Sequence, residues 1–315
     1  MKARHSFLVA VLTVVLGSAL VSFPAAVAGA AARAAAAGPV SICRSRSHPR
    51  RAARLARDIR AARLGRVSAV AVRVDDPGQG IECWLHGIWR FDSASVVKVT
   101  ILGALLRRAE DQHRRLTSAE AVLARAMITR SDNDAASALW AQLGRHRLQR
   151  FLNLAGMGQT VLGPDGYWGL TQITAHDEIL LLRLLLRKNP VLGYRSRAYA
   201  LTLMSQVIPS QRWGVSAGAP TRLTVHLKNG WLPRQTHGWR IHSIGCFTGR
   251  GGGYSIVVLT EDNPTMTYGI DTIQALARVI HRDLNAGTKS FAGSSPPSPS
   301  WGTPDERIPA LPNTP

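Results

Sequence analysis

The chain has 315 residues, 45% hydrophobic and 18% charged, which reads as a globular protein able to bury a sizeable core. Its formal net charge is +20. The arginines behind that charge are spread along the whole chain without a Lys/Arg-plus-aromatic cluster, so no nucleic-acid face is expected, whereas attraction to an anionic cell wall suits such a surface.

Lys2, Arg4 and His5 give a basic start, Phe7 to Val21 is an apolar run, and Ala26-Val27-Ala28 is a small-residue cleavage pattern. Residues 1–28 therefore read as a secretory signal peptide. The run is short for a membrane span, and no cysteine follows the cleavage pattern, so the expectation is an exported, monomeric protein with no span or lipid anchor once the signal is removed. Residues 29–48, with the low-complexity stretch Ala30 to Ala37, read as a flexible lead. Export permits disulfides among Cys43, Cys83 and Cys246. Cys43–Cys83 is the expected pair, with Cys83–Cys246 the alternative.

Arg50 to Leu64 has helical apolar spacing. Val67 to Val74 and Ile81 to Leu85, around Asp76-Pro77-Gly78-Gln79-Gly80, form a hairpin signal. A helix starting near Ser95 is apolar nearly all round, hence central and buried. Further helices are expected over Ser118 to Ile128, Asp134 to Leu143 and Ala175 to Leu186, with Gly163 to Gly169 a glycine-punctuated loop. Thr221 to Leu227, Trp239 to Phe247 and Tyr254 to Thr260 read as strands, the last two joined at Gly249 to Gly253, and Tyr268 to Leu284 closes as a helix. Residues 287–315 read as a disordered Ser/Pro-rich tail. Residues 49–286 then form one α+β domain: a single antiparallel sheet with an inserted all-α part.

Three short motifs carry chemistry. In Ser95-Val96-Val97-Lys98 the lysine stands one helical turn after the serine, within reach of its hydroxyl. Only five of the chain's 39 basic residues are lysines, and an amine, unlike a guanidinium, can give up its proton when buried near another positive charge. In Ser131-Asp132-Asn133, Ser131 suits proton relay to a departing nitrogen and Asn133 suits a substrate amide; N-capping is the plainer reading of the same residues. In Lys228-Asn229-Gly230-Trp231, placed at a strand end, Lys228 puts a positive charge beside the serine, Gly230 allows close approach of substrate, and the N–H groups of Ser95 and Trp231 form an oxyanion hole.

Ser-x-x-Lys, Ser-Asp-Asn and Lys-x-Gly in this order resemble the signature set of the class A β-lactamases and penicillin-binding proteins. The resemblance runs from about Arg50 to Leu284. It implies an antiparallel five-stranded sheet flanked by helices plus an all-α subdomain, and acylation of Ser95 by a β-lactam or an acyl-D-Ala-D-Ala-type substrate. Ser95, Lys98, Ser131 and Lys228 are the catalytic candidates. Asn133, Asn229, Gly230, Trp231 and Arg240 are the substrate-binding ones, with Arg222 a second arginine for a carboxylate.

Three departures qualify it. Asn229 replaces the hydroxyl residue of the third motif. No glutamate lies between Leu143 and Ala175 to activate a deacylating water, and Asp165, the only carboxylate in the Gly163 to Gly169 loop, reads as turn-forming. Only 36 residues separate Ser95 from Ser131, so one cleft wall is expected to be missing. Slow release of an acyl group follows as an expectation, and a cell-wall peptidase or a non-catalytic binding protein on the same fold are the alternatives. Gly214-Val215-Ser216-Ala217-Gly218 lacks the strand and helix that a nucleophile elbow needs. His242 reads as packed in a strand. The ten histidines show no metal spacing, so neither metal nor other cofactor is expected.

Overall fold

A computed structural model describes residues 42–250 and 252–286. The signal peptide, residues 29–41 of the lead and the 287–315 tail lie outside the described residues.

In chain order the elements are β1 (Cys43–Arg44), α1 (Pro49–Arg63), β2 (Ala69–Asp76), β3 (Ile81–Leu85), β4 (Arg90–Asp92), a 3-10 turn (Ala94–Val96), α2 (Val97–Asp111), α3 (Ser118–Thr129), α4 (Asn133–Leu154), β5 (Gln172–Thr174), α5 (Ala175–Leu186), α6 (Tyr194–Ser205), β6 (Thr224–Pro233), β7 (Trp239–Gly249), β8 (Gly252–Asn263) and α7 (Met266–Leu284). Strands pair antiparallel in the order β1-β3-β2-β8-β7-β6. This is the expected α+β fold, an antiparallel sheet flanked by helices with an all-α part.

The strands alternate, so each feeds two cores. On β8, Ile256 and Val258 face the layer that holds Leu55 and Ile59 of α1 and Ile273, Leu276 and Ile280 of α7. Val257 and Leu259 face the opposite layer, with Ile101, Leu102 and Leu105 of α2, Leu139 of α4 and Leu182 of α5. That second layer is where the long helical insert packs. Among the described residues no helix is long and apolar enough to cross a membrane.

The sheet has one strand more than the five expected. Cys43 and Arg44, assigned to the flexible lead by the sequence reading, pair with Cys83 and Glu82 of β3, and the expected Cys43–Cys83 disulfide forms. Closing a loop with a separation of 40 residues restricts the unfolded chain by about 4 kcal/mol in the chain-entropy account. Cys246 is a buried free thiol, its pKa pushed up to about 12 by burial.

Other boundaries shift for identifiable reasons. The sequence reading ends a helix at Leu143. Gly144 does break the geometry (φ 68°), yet the chain resumes as helix to Leu154, because Leu148, Phe151 and Leu152 recur at helical spacing and are buried. The three-residue strands β4 and β5 and the helix α6 are unforeseen. The β4–β5 pair joins Arg90 to Thr174 across the chain, a contact no local pattern encodes. Lys228-Asn229-Gly230 lies inside β6, not at a strand end, since pairing with β7 continues to Pro233↔Trp239.

One buried acid opposes this packing. Glu178 of α5 is fully buried, neither carboxylate oxygen has a partner, and burial, then the neighbouring Asp177, pushes its pKa well above the ordinary 4.5. A carboxyl whose folded pKa is raised stabilises least at high pH, because the folded state must keep or bury a charge that the unfolded chain solvates. Glu178→Leu is therefore expected to stabilise the protein by about 1–3 kcal/mol. The gain widens as pH rises above 4.5, which denaturant titrations at acid and alkaline pH would measure.

Candidate active site

The site lies where the N-terminal turn of α2, the α3–α4 junction and β6 meet. Ser95 sits in the 3-10 turn that leads into α2 and is half-buried. The residue before it, Ala94, holds φ 46°, a left-handed conformation that costs a non-glycine residue and is seen most often at functional turns. Ser131, between α3 and α4, holds φ 59°. Asp132 follows as the N-cap of α4, its Oδ1 accepting from Ala135 N–H at 2.7 Å. For Asp132 the plain capping reading is correct.

Both lysines are buried and both reach Ser131. Lys98 Nζ donates to Ser131 O (2.6 Å) and Asn133 Oδ1 (2.7 Å) and lies 3.3 Å from Ser131 Oγ. Lys228 Nζ donates to Ser131 Oγ (2.9 Å) and to Asn229 O (2.7 Å). The hydroxyl on which both amines converge is that of Ser131. The spacing of Lys98 along α2 directs its amine across the turn to the α3–α4 junction.

Burial is the main force on both amines. It lowers Lys98 well below its ordinary 10.5; Lys228 lowers it further, and Asp132 opposes. Burial alone brings Lys228 to about 7. Two amines facing one hydroxyl cannot both hold a proton cheaply. A neutral Lys98 has two N–H groups, which its two short acceptors engage, and a lone pair left to take a proton.

Gly230 fixes the distance between β6 and the Ser95 turn. A Cβ at this position would lie 3.0 Å from each of Ser93 O, Ser95 N and Val96 N. A side chain would force these backbone atoms to give way, so the strand backbone lies directly against the Ser95 amide.

Strand alternation separates the third motif into two faces. Lys228 and Gly230 face the site. Asn229 and Trp231 face the other way. Asn229 Nδ2 donates to Gln211 O (2.8 Å) and Trp213 O (3.0 Å), which engages both amide hydrogens. Trp231 packs its ring 6.0 Å from that of Trp213. Asn229, expected among the substrate-binding residues, is instead a buried tie between β6 and the segment before it.

Arg240 is a second correction. Only 5% exposed, it places Nε 3.4 Å from Asp92 Oδ2, and its Nη1 donates to the carbonyls of Thr236 and Gly238. It locks the β6–β7 turn onto β4. Arg222 donates to Asn285 Oδ1 (2.6 Å) at the end of α7. Asp165 is exposed at φ 46° in its turn, as a turn former would be. His242 is fully buried, bonded to Asp92 O (2.8 Å) and to Thr260 N–H (3.2 Å); burial lowers its pKa to about 4, so it is neutral. His237, Glu261 and Asp262 bring ligand atoms within 4.8 Å of one another at the surface, a cluster invisible to linear spacing.

The residue that sequence reasoning passed over is Trp168. Its ring centroid lies 4.7 Å from Lys98 Nζ, and its Nε1 donates to Ser137 Oγ (3.1 Å). The adjacent aromatics Tyr167 and Trp168 in an otherwise Gly/Pro/Asp loop were the available signal.

Comparison with known proteins agrees with this fold. The Beta-lactamase2 family, described as the Beta-lactamase enzyme family, matches residues 120–284. That span holds Ser131, Asn133 and Lys228-Asn229-Gly230-Trp231. No curated protein matches the chain. Among solved structures, a class A β-lactamase from Bacteroides cellulosilyticus superposes with TM-score 0.65 at 16% identity, covering 74% of this chain and 97% of its own. A mutant of the last common ancestor of Gram-negative bacteria β-lactamase class A gives 0.62 at 20%, covering 74% and 100%. A β-lactamase from Sphaerobacter thermophilus gives 0.62 at 20%, covering 73% and 95%. At such identities the likeness speaks for the fold. With the family match spanning more than half of the chain, and two buried lysines meeting at the serine of the second motif, this chain belongs to the beta-lactamase enzyme family and is a β-lactamase-like serine hydrolase.

Proposed function

We propose that the protein is exported and that Ser95 attacks a β-lactam or related amide carbonyl, forming an ester that is released slowly. The observation that carries this reading is the convergence of Lys98 and Lys228 on Ser131 Oγ beside the Ser95 turn. Lys98, kept short of its proton by burial and by Lys228, takes the proton of Ser95 as Oγ bonds the carbonyl carbon. The proton passes through Ser131 Oγ to the departing nitrogen as the C–N bond breaks. The amides of Ser95 and Trp231 receive the developing oxyanion, helped by the close approach at Gly230.

Slow release is supported by the loop near Lys98, which presents the Trp168 indole there and leaves its carboxylate, Asp165, exposed. The same machinery serves an acyl-D-Ala-D-Ala peptidase, and the loop suits that reading equally. Labelling with a fluorescent penicillin tests the common step. Stoichiometric labelling of the parent protein, lost in Ser95→Ala, is expected. Rapid steady-state nitrocefin turnover without a burst would contradict slow release.

A further inference from the structure

The loop between α4 and β5 brings an aromatic face to the acylation machinery. Trp168 is anchored at its edge by Ser137 on α4 and turns its ring toward Lys98 Nζ at 4.7 Å. Its backbone is anchored as well. Ser93 Oγ lies 3.3 Å from the carbonyl oxygens of both Trp168 and Gly169, and Ser93 N–H donates to Thr171 O at 2.8 Å. Gly163 is pressed so closely on the loop that a Cβ there would lie 2.1 Å from Tyr167 O. The loop is fastened to the turn that carries Ser95 and cannot swing away without disturbing it.

Hydrolysis of an ester on Ser95 has three parts. A water oxygen bonds the carbonyl carbon, a water proton passes to a base, and the C–Oγ bond breaks as a proton returns to Ser95. The second part needs an acceptor beside the water. An indole has none: its N–H is donor only, and here it is held by Ser137. Lys98 already contacts Ser131 O and Asn133 Oδ1, and the ring covers a further side.

The geometry points to Trp168 as the residue that decides the fate of the Ser95 ester: its indole occupies the flank of Lys98 where a hydrolytic water would be activated, so the acyl group stays on the enzyme. This rests on the acylation of Ser95 proposed above. Trp168 thereby sets retention against hydrolysis, while acylation itself is left to the two lysines and Ser131.

The test is an intact-mass time course with benzylpenicillin on the purified protein and on Trp168→Phe, Trp168→Ala and Trp168→Glu, with melting temperatures taken for each. All four are expected to form the adduct. The parent and Trp168→Phe retain it, because Phe keeps a covering ring while losing the bond to Ser137. Trp168→Ala releases it about tenfold faster and Trp168→Glu about a hundredfold faster, the scale of an added general base. Release by Trp168→Glu acquires an acid limb in its pH profile that the parent lacks, which a purely structural role for Trp168 would not produce. Adduct lifetimes equal within about twofold across the set overturn the role of Trp168 and leave Ser95 acylation standing. If Trp168→Ala melts below the assay temperature, the Phe and Glu variants decide on the same criterion. No adduct on the parent protein overturns the acylation reading and this inference with it.

Discussion

Lys98→Met is expected to slow acylation of Ser95 by about 10³-fold while leaving the fold intact. Methionine has nearly the length of lysine and no amine, so the substitution removes the base and keeps the volume. Burying an amine is costly, and replacing a buried charged group with an apolar one of similar size is often neutral or stabilising. Against this, Ser131 O loses its 2.6 Å donor. The two effects oppose each other, so the melting temperature is expected to stay within a few degrees of the parent. Stopped-flow acylation with nitrocefin, beside a thermal melt, measures both. A fall in rate matched by unfolding would assign Lys98 to structure alone.

The pH dependence has a definite sign. Burial first, and Lys228 second, lower the Lys98 amine from 10.5. The acylation rate is expected to rise with pH as Lys98 loses its proton, with the midpoint below 10.5. Lys228→Ala removes the repelling neighbour and moves that limb to higher pH. Stability follows the same direction through Lys228. Its folded pKa of about 7 lies below the ordinary 10.5, so between these values the unfolded chain binds more protons and folding gains as pH rises.

Gly230→Ala is the second large effect. The new Cβ would stand 3.0 Å from Ser93 O, Ser95 N and Val96 N. All three are backbone atoms of the turn that leads into α2, so none can rotate aside. Relief comes only by parting β6 from the Ser95 turn, which moves Ser95 N–H and Trp231 N–H apart. Loss of one aligned oxyanion donor costs about 10²-fold in rate, and the forced contact about 1–3 kcal/mol in stability. Gly158→Ala is the matched control. A Cβ there meets nothing within 4 Å, and removing a glycine restricts the unfolded chain. Acylation by Gly158→Ala is expected to equal the parent, whereas Gly230→Ala is slow at temperatures well below its melt.

Local sequence determined a good deal of this protein. The run of apolar residues after Ser95 specified a central buried helix, the Asp76 to Gly80 turn specified the β2–β3 hairpin, and the scarcity of lysine singled out Lys98 within its apolar helix. These signals are short-range: periodicity, turn chemistry and the choice of amine over guanidinium are all set within a few residues. Only the tertiary structure decided where the polar ends went. It joined the two lysines at Ser131, turned Asn229 away to Gln211 and Trp213, gave Arg240 to Asp92, and laid Trp168 over Lys98. Each of those partners comes from a different segment of the chain, and which face of a strand or flank of a loop a side chain occupies depends on register and on the space left by its neighbours.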